Sequence, residues 1–163
     1  LIISCCYLAW GTYAQANITA RVQQSEIAQN GNLLVMPTPF NSFYWRILNY
    51  QEHSYYEAFT YVGDQKPLQW VGYNNNRDLV AGKEVPYLAR LEWFSHGWLR
   101  FDKVGKQLHI TDLRLGVTGY HPFIFAIAEK KGDHWQDIEP EQIAIDKQKR
   151  QQLFNKFKKQ IGL

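Results

Sequence analysis

The sequence predicts an α+β domain with one antiparallel sheet of five or six strands, a helix at each end of the chain and one inserted helix. Three observations predict this class. Short runs rich in aromatic and β-branched residues alternate with turn residues, as the strands of hairpins do. Aromatic residues make up 15% of the 163 residues, a share that suits strands packed on a core. Segments with a helical spacing of apolar residues lie near both chain ends.

The first predicted helix covers residues 4–29 and is apolar in its first half and amphipathic in its second. Asn30-Gly31-Asn32 supplies residue types that end helices. We place a domain boundary here. Residues 1–30 are predicted to be the end of a membrane helix that continues as a stalk, and residues 31–163 a soluble α+β domain.

The apolar stretch from Leu1 to Trp10 has three interpretations. It is shorter than the about 20 residues that a membrane helix needs. It is the cut end of such a helix, the tail of a signal peptide with Ala14-Gln15-Ala16 as its cleavage site, or an ordinary buried helix. The chain begins with Leu rather than Met, so we expect further sequence upstream. No Lys or Arg precedes Arg21, so a signal peptide here would lack its basic region. For the same reason, the positive-inside rule does not predict on which side of the membrane the domain lies.

Six short runs bounded by turn residues are predicted strands: residues 33–36, 43–50, 55–62, 98–103, 107–114 and 120–128. The second and third form one hairpin and the fourth and fifth another, because only a turn separates each pair. In the third run, Tyr55, Glu57, Phe59 and Tyr61 share one face of the strand.

Three further segments have helical patterns: residues 77–81, 85–94 and 143–161. Pro86 suits the first turn of the middle one, and Gly97 suits its end. Two polar segments are predicted loops: residues 63–76 and 130–140.

The net charge of +3 is only mildly basic, short of the strong positive charge of nucleic-acid-binding domains. No nucleic-acid partner is therefore predicted. The last helix is nevertheless basic, with six cations against Asp146: Lys147, Lys149, Arg150, Lys156, Lys158 and Lys159. Such a helix lies on an anionic membrane surface, or it packs on the sheet with its lysines in water.

No metal site is predicted within this chain. The five histidines are scattered without the i, i+2 or i, i+4 spacing that brings two imidazoles to one ion, and no His-Glu-x-x-His or Cys-x-x-Cys occurs. The only cysteines, Cys5 and Cys6, are adjacent and lie in the apolar terminus, where a thiol is not activated.

Polar candidates for function lie on the predicted strands. Asp112 and Arg114 are two residues apart and therefore share a strand face. With Arg46 or Arg90 they form either a salt-bridge network that pins strands together or an anion-binding cluster. Pro37 and Pro39 stiffen the segment that leads to Asn41 and Arg46.

Four segments carry a family resemblance: Pro37-Thr38-Pro39-Phe40-Asn41 with Trp45-Arg46, Tyr55-Tyr56-Glu57, Leu91-Glu92-Trp93-Phe94-Ser95-His96-Gly97 and Ile110-Thr111-Asp112-Leu113-Arg114-Leu115-Gly116. Together, and in this order, they resemble the LexA-regulated, membrane-bound metal-dependent hydrolase family of bacteria. The resemblance covers roughly residues 1–128.

The resemblance implies a bacterial inner-membrane protein in which a membrane domain of several helices precedes a soluble domain. The present chain is similar to that soluble domain, with the end of the last membrane helix at residues 1–14. The His and Asp metal ligands of the family, and hence any divalent metal, belong to the membrane domain, and none maps onto this chain. The hydrolase activity is itself an inference made for the family as a whole.

Three functional hypotheses follow. In the first, the domain covers or regulates a membrane-embedded site, or binds a lipid-like or anionic substrate group. In the second, it is a non-catalytic binding module with an aromatic surface around Trp45, Tyr56 and Trp98. In the third, it is an independent enzyme that uses His96 with Asp112. Taken together, the candidate binding residues are Asn41, Trp45, Arg46, Tyr56, Arg90, His96, Asp112 and Arg114. We also expect the apolar N-terminus to make the isolated chain self-associate.

Overall fold

The computed structural model describes residues 2–39, 41–116, 120–144, 146, 148 and 151–155. In these residues, helices combine with eight strands in two four-stranded sheets, ordered β1-β2-β3-β4 and β5-β6-β7-β8. The α+β class is therefore confirmed, whereas the expectation of a single sheet of five or six strands is wrong. The chain divides into two compact units, residues 1–73 (unit 1) and residues 74–163 (unit 2). The domain boundary predicted after residue 30, between a membrane-derived helix and a soluble domain, stays a prediction.

Unit 1 contains two helices and the first sheet: α1 (Ile2–Val22), α2 (Glu26–Gln29), β1 (Asn32–Thr38), β2 (Asn41–Tyr50), β3 (Ser54–Tyr61) and β4 (Val71–Asn74), which runs across the unit boundary. The single helix expected over residues 4–29 is interrupted at residues 23–25. The hydroxyl of Ser25 donates to the carbonyl oxygen of Val22 at 2.8 Å. Such a local bond offers the backbone an alternative to the helix.

The core of unit 1 lies between α1 and one face of the sheet. Ala14, Ile18 and Val22 follow each other at intervals of four residues and are completely buried. They pack with apolar residues of β1, β2 and β3: Val35, Trp45, Ile47 and Ala58. The predicted β2–β3 hairpin is confirmed, with Arg46 opposite Phe59 and Leu48 opposite Glu57.

Unit 2 contains a short 3₁₀ helix (Arg77–Leu79), α3 (Leu88–Ser95) and the second sheet: β5 (Leu99–Val104), β6 (Gln107–Asp112), β7 (Ile124–Lys131) and β8 (His134–Gln142). Its core gathers Leu99, Phe101, Leu108, Ile110 and Ile127, against which Leu88 and Leu91 of α3 pack. The β5–β6 hairpin forms as predicted, around Gly105 and Lys106.

Several boundaries differ from those predicted. Both β4 and β8 lie in segments expected to be loops. As an edge strand, β8 pairs on one side only, so it tolerates polar residues and Pro140. Helix α3 starts at Leu88 rather than at Val85, because Tyr87 takes a left-handed conformation with φ 61°. Of the helix expected over residues 143–161, helical structure is described at 148 and 151–155, and much of the remainder lies outside the described residues.

Candidate functional site

Arg46 forms a buried ion pair with Glu57. The two side chains project from β2 and β3, and Nε of Arg46 donates to Oε1 of Glu57. They are only 1% and 3% exposed. Burial raises the pKa of Glu57, and the charge of Arg46 opposes that rise. Glu57 was not singled out from the sequence, although a carboxylate between Tyr55 and Phe59 on one strand face is a visible signal.

Aromatic rings accompany this pair on the same strand face. The ring of Tyr44 stacks on Phe59 at a centroid distance of 5.6 Å and contacts Tyr61 at 4.6 Å. Tyr55 stacks on Tyr73 at 5.1 Å. An ion pair so enclosed cannot reach a soluble ligand without opening the fold. The pair therefore serves the structure of unit 1 rather than ligand binding.

Three other candidates of unit 1 also have structural roles. Oδ1 of Asn41 accepts the backbone N–H groups of Phe43 and Tyr44, at 2.9 and 3.2 Å, and so shapes the start of β2. Trp45 is buried, and its Nε1 donates to the carbonyl oxygen of Ser42 at 3.0 Å. Tyr56 is half-buried, and its ring lies against the backbone of β4 at Gly72, where a Cβ would come within 3.1 Å of the ring.

Asp112 and Arg114 pair with each other at the end of β6. Arg114 donates from Nη2 to Oδ2 at 2.7 Å and from Nε to Oδ1 at 3.1 Å, which is a forked arrangement. Its backbone N–H also donates to Oδ1, at 3.0 Å, so the carboxylate closes the turn that follows the strand. Hydrogen bonding to Asp112 raises the pKa of Arg114. Their pairing was one of the expected arrangements, but Arg114 lies in the turn and not on the strand.

A small cavity of about 60 Å³ adjoins this pair. Its walls are mostly apolar and come from α3, β5, β6, β7 and the intervening segments: Leu91, Phe94, Ser95, Leu99, Ile110, Asp112, Leu115, Phe123 and Phe125. The guanidinium carbon of Arg114 lies 5.3 Å from the ring centroid of Phe94. The cavity thus joins apolar walls to the carboxylate of the Asp112–Arg114 ion pair, an arrangement that suits an apolar group of a larger molecule.

The two remaining candidates, Arg90 and His96, are exposed and belong to α3 and its C-terminus. His96 adopts φ 53° as the C-cap, and Gly97 donates its N–H to the carbonyl oxygen of Glu92 at 3.0 Å. The role of His96 as the C-cap of α3 explains its position without a functional site. Among the described residues, no hydrogen bond or ion pair joins His96 to Asp112, whose carboxylate Arg114 engages, and the acid–base pair of the third hypothesis stays a prediction.

The aromatic surface expected around Trp45, Tyr56 and Trp98 is wrong, because both tryptophans are buried. Strand alternation does not by itself tell which face is covered. In the part of the chain that the structure describes, the most exposed rings lie elsewhere: Tyr7, Tyr13, Phe43, Trp93 and Phe94.

The first half of α1 is the other unusual surface. Residues 2–9 are all exposed, and among them Ile3 keeps 86% of its surface in contact with water. Where this segment meets the core, the ring of Trp10 contacts Phe43 at 5.2 Å and Tyr13 at 6.1 Å. None of the helices in the described ranges combines the length and the apolar character that crossing a bilayer requires.

Within the described part of the chain, no group of three or more His, Cys, Asp or Glu side chains could hold a metal ion. Comparison of the chain with protein-family models, curated proteins and solved structures finds no match. The resemblance to the membrane-bound hydrolase family therefore stays a prediction, and a functional proposal must rest on geometry.

Proposed function

We propose that this chain is the membrane-proximal, non-catalytic domain of a bacterial inner-membrane protein of the metal-dependent hydrolase type. The first half of α1 holds it at the bilayer, and the domain covers or regulates a site in the membrane part. One observation carries the proposal. The second half of α1 packs in the core of unit 1, whereas the first half of the same helix is apolar and exposed.

The contrast within α1 supports a membrane contact. Ala14, Ile18 and Val22 lie on one stripe that the sheet covers completely. Ile2, Ile3, Tyr7 and Leu8, in contrast, are distributed around the helix and exposed. Each large apolar side chain gains about 1.5–3 kcal/mol when it leaves water completely. Together they favour an apolar environment on all sides, which a bilayer supplies and a one-sided protein contact does not.

The rings at the middle of α1 support the same interpretation. Trp and Tyr are enriched where membrane proteins cross from hydrocarbon to water. Trp10 and Tyr13, with Phe43 from β2, lie where the exposed apolar segment meets the core of unit 1. At 1.5 Å per residue, residues 2–9 extend about 12 Å, less than half of the about 30 Å hydrocarbon thickness. In this proposal they are the end of a longer membrane helix.

The paired charges support a role without catalysis. Arg46 and Glu57 neutralise each other inside unit 1, and in unit 2 the partly exposed Arg114 neutralises the nearly buried Asp112. A catalytic acid or base needs a group free to exchange a proton with a substrate. The carboxylates of the two pairs are instead engaged by arginines.

Sedimentation with phospholipid vesicles tests the proposal. Leu8→Glu places a charge in the exposed apolar segment and should lower vesicle binding of the full chain by at least about tenfold. Gln23→Glu adds the same charge at an exposed position just after α1 and serves as the matched control. Equal binding of both variants and of the unchanged chain, or no binding by any of them, would reject the membrane contact.

A further inference from the structure

A second exposed apolar surface lies in unit 2 and shares no residue with α1. Phe94 is 58% exposed and Phe123 41%, and Leu115 is exposed beside them. All three line the cavity of about 60 Å³, so they are neighbours in space (the Phe94 patch). Single exposed apolar residues are ordinary, but a contiguous group brought together from three segments indicates a contact surface.

The segments that form the Phe94 patch are held together by backbone hydrogen bonds. The carbonyl oxygen of Phe123 accepts the N–H of Asp112 at 3.4 Å, and that of Ile124 accepts the N–H of Ile143 at 2.8 Å. Ring nitrogen Nδ1 of His121 lies 3.2 Å from the carbonyl oxygen of Leu115. These hydrogen bonds hold the segments that carry the rings in place. Less conformational entropy is therefore lost when a partner binds.

The rim of the patch carries positive charge. Arg114 lies over Phe94 but is neutralised by Asp112. Arg90 precedes Phe94 by one helical turn, on the same face of α3, and is exposed. Among the described residues, no ion pair engages Arg90, whereas Glu92 is taken by Arg77 at 2.6 Å. The net charge beside the rings is thus positive and complements an anionic partner.

We propose that the Phe94 patch is a membrane-contact site for an anionic phospholipid surface, with the two rings at the hydrocarbon boundary and Arg90 near the phosphates. Rings beside arginines characterise protein surfaces that lie in the bilayer interface. A cavity of about 60 Å³ is well below the about 300–1,000 Å³ of small-molecule pockets. It admits the tip of an apolar chain but not a whole ligand.

This proposal rests on the proposed function in one respect. Both units belong to one chain. If α1 is anchored in a bilayer, the covalent connection raises the concentration of unit 2 at that bilayer. The high effective concentration then lets a weak contact be populated.

A local fluorescence label tests the patch separately from α1. Leu115→Cys, in a full chain with Cys5 and Cys6 changed to Ser, provides a unique thiol for an environment-sensitive dye such as NBD. With vesicles of phosphatidylglycerol and phosphatidylcholine, the emission should shift to shorter wavelength. Phe94→Ala should reduce the inserted fraction about tenfold, as expected when one partly buried ring is lost. Tyr87→Ala, which removes an exposed ring just before α3, should have no effect.

The label also distinguishes the alternatives. A dye at Val104→Cys, an exposed position at the end of β5, should stay in water and serves as the second control. Phe123→Cys replaces Leu115→Cys if circular dichroism shows that the latter does not fold. The proposal is overturned if the chain sediments with vesicles while the dye in the patch stays in water, an outcome that leaves the proposed function intact. It is also overturned if neutral vesicles give the same shift, or if the Val104→Cys dye shifts equally. A shift of the patch dye without vesicles would overturn it too, because a second copy of the chain or another protein would then cover the patch.

Discussion

Replacing Arg46 by Met tests the buried ion pair most severely, because it leaves the carboxylate of Glu57 without its cation. The two side chains are 1% and 3% exposed, so solvent screening does not reduce the effect. Removing one partner of such a pair costs about 3–5 kcal/mol of unfolding free energy. Replacing both partners, as in Arg46→Met with Glu57→Leu, removes the desolvation of both charges and should restore stability to near that of the unchanged chain.

The loss caused by Arg46→Met should depend on pH. Burial already raises the pKa of Glu57 in the folded chain above its ordinary value of 4.5, and loss of Arg46 removes the interaction that opposes this rise. A group whose pKa is raised on folding contributes stability that is complete below its unfolded pKa. That stability is lost as the pH rises through the folded pKa. Arg46→Met should therefore be most destabilising at neutral pH and should recover part of its stability near pH 4.5.

Hydrogen exchange of β2 and β3 peptides in increasing urea measures the stability of unit 1 by itself. This matters because a chain of two units need not unfold in one step. A loss below about 1 kcal/mol for Arg46→Met, the size expected of an exposed pair, would refute the reasoning. So would a loss that is the same at neutral and acid pH, because an isolated buried carboxylate must respond to protonation.

Two smaller predictions concern the turn residues. Asp112→Asn should cost only about 1 kcal/mol in a urea titration, because the oxygen of Asn can still accept the backbone N–H of Arg114 and the side chain of Arg114 is 23% exposed; a loss of 3 kcal/mol or more, on the order expected for a buried network, would contradict this. Gly31→Ala should destabilise far more than Gly63→Ala in thermal unfolding: both glycines have positive φ, but a Cβ at Gly31 would meet the carbonyl oxygen of Tyr50, whereas Gly63 faces open space. Equal midpoints for the two variants would refute that close approach.

The local elements of the fold could be predicted from the sequence, and their assembly could not. Both hairpins were found within about two residues because alternation and turn residues lie next to each other in the chain. Strand β8 was missed because an edge strand need not look apolar, and Pro140 argued against it. The division into two sheets depends on which strands pair over a distance, and no local pattern contains that information.

The candidate site shows the same limit. The pair of Asp112 and Arg114 was foreseen because they are two positions apart in the sequence. The partner of Arg46 was missed because it depends on cross-strand register, in which Glu57 faces Leu48 and lies diagonally to Arg46. Trp45 belongs to the covered face of its strand, and composition does not reveal which face that is. The exposure of Phe94 could not be predicted from spacing, because Phe94 follows Leu91 by three residues and Leu91 packs on the core.

The depth of Cys5 in a bilayer tests the membrane role of α1 most directly. Cys5 and Cys6 are exposed thiols in the apolar half of the helix, so Cys6→Ser leaves Cys5 as the thiol to be labelled. We expect an NBD dye on Cys5 to become protected from a water-soluble quencher when vesicles are added, and to be quenched by nitroxides placed along the lipid acyl chains. A dye on Gln23→Cys, with both natural cysteines replaced, should stay accessible to the water-soluble quencher. A Cys5 dye that remains equally accessible with and without vesicles, in a chain that is folded, would contradict the membrane-proximal role.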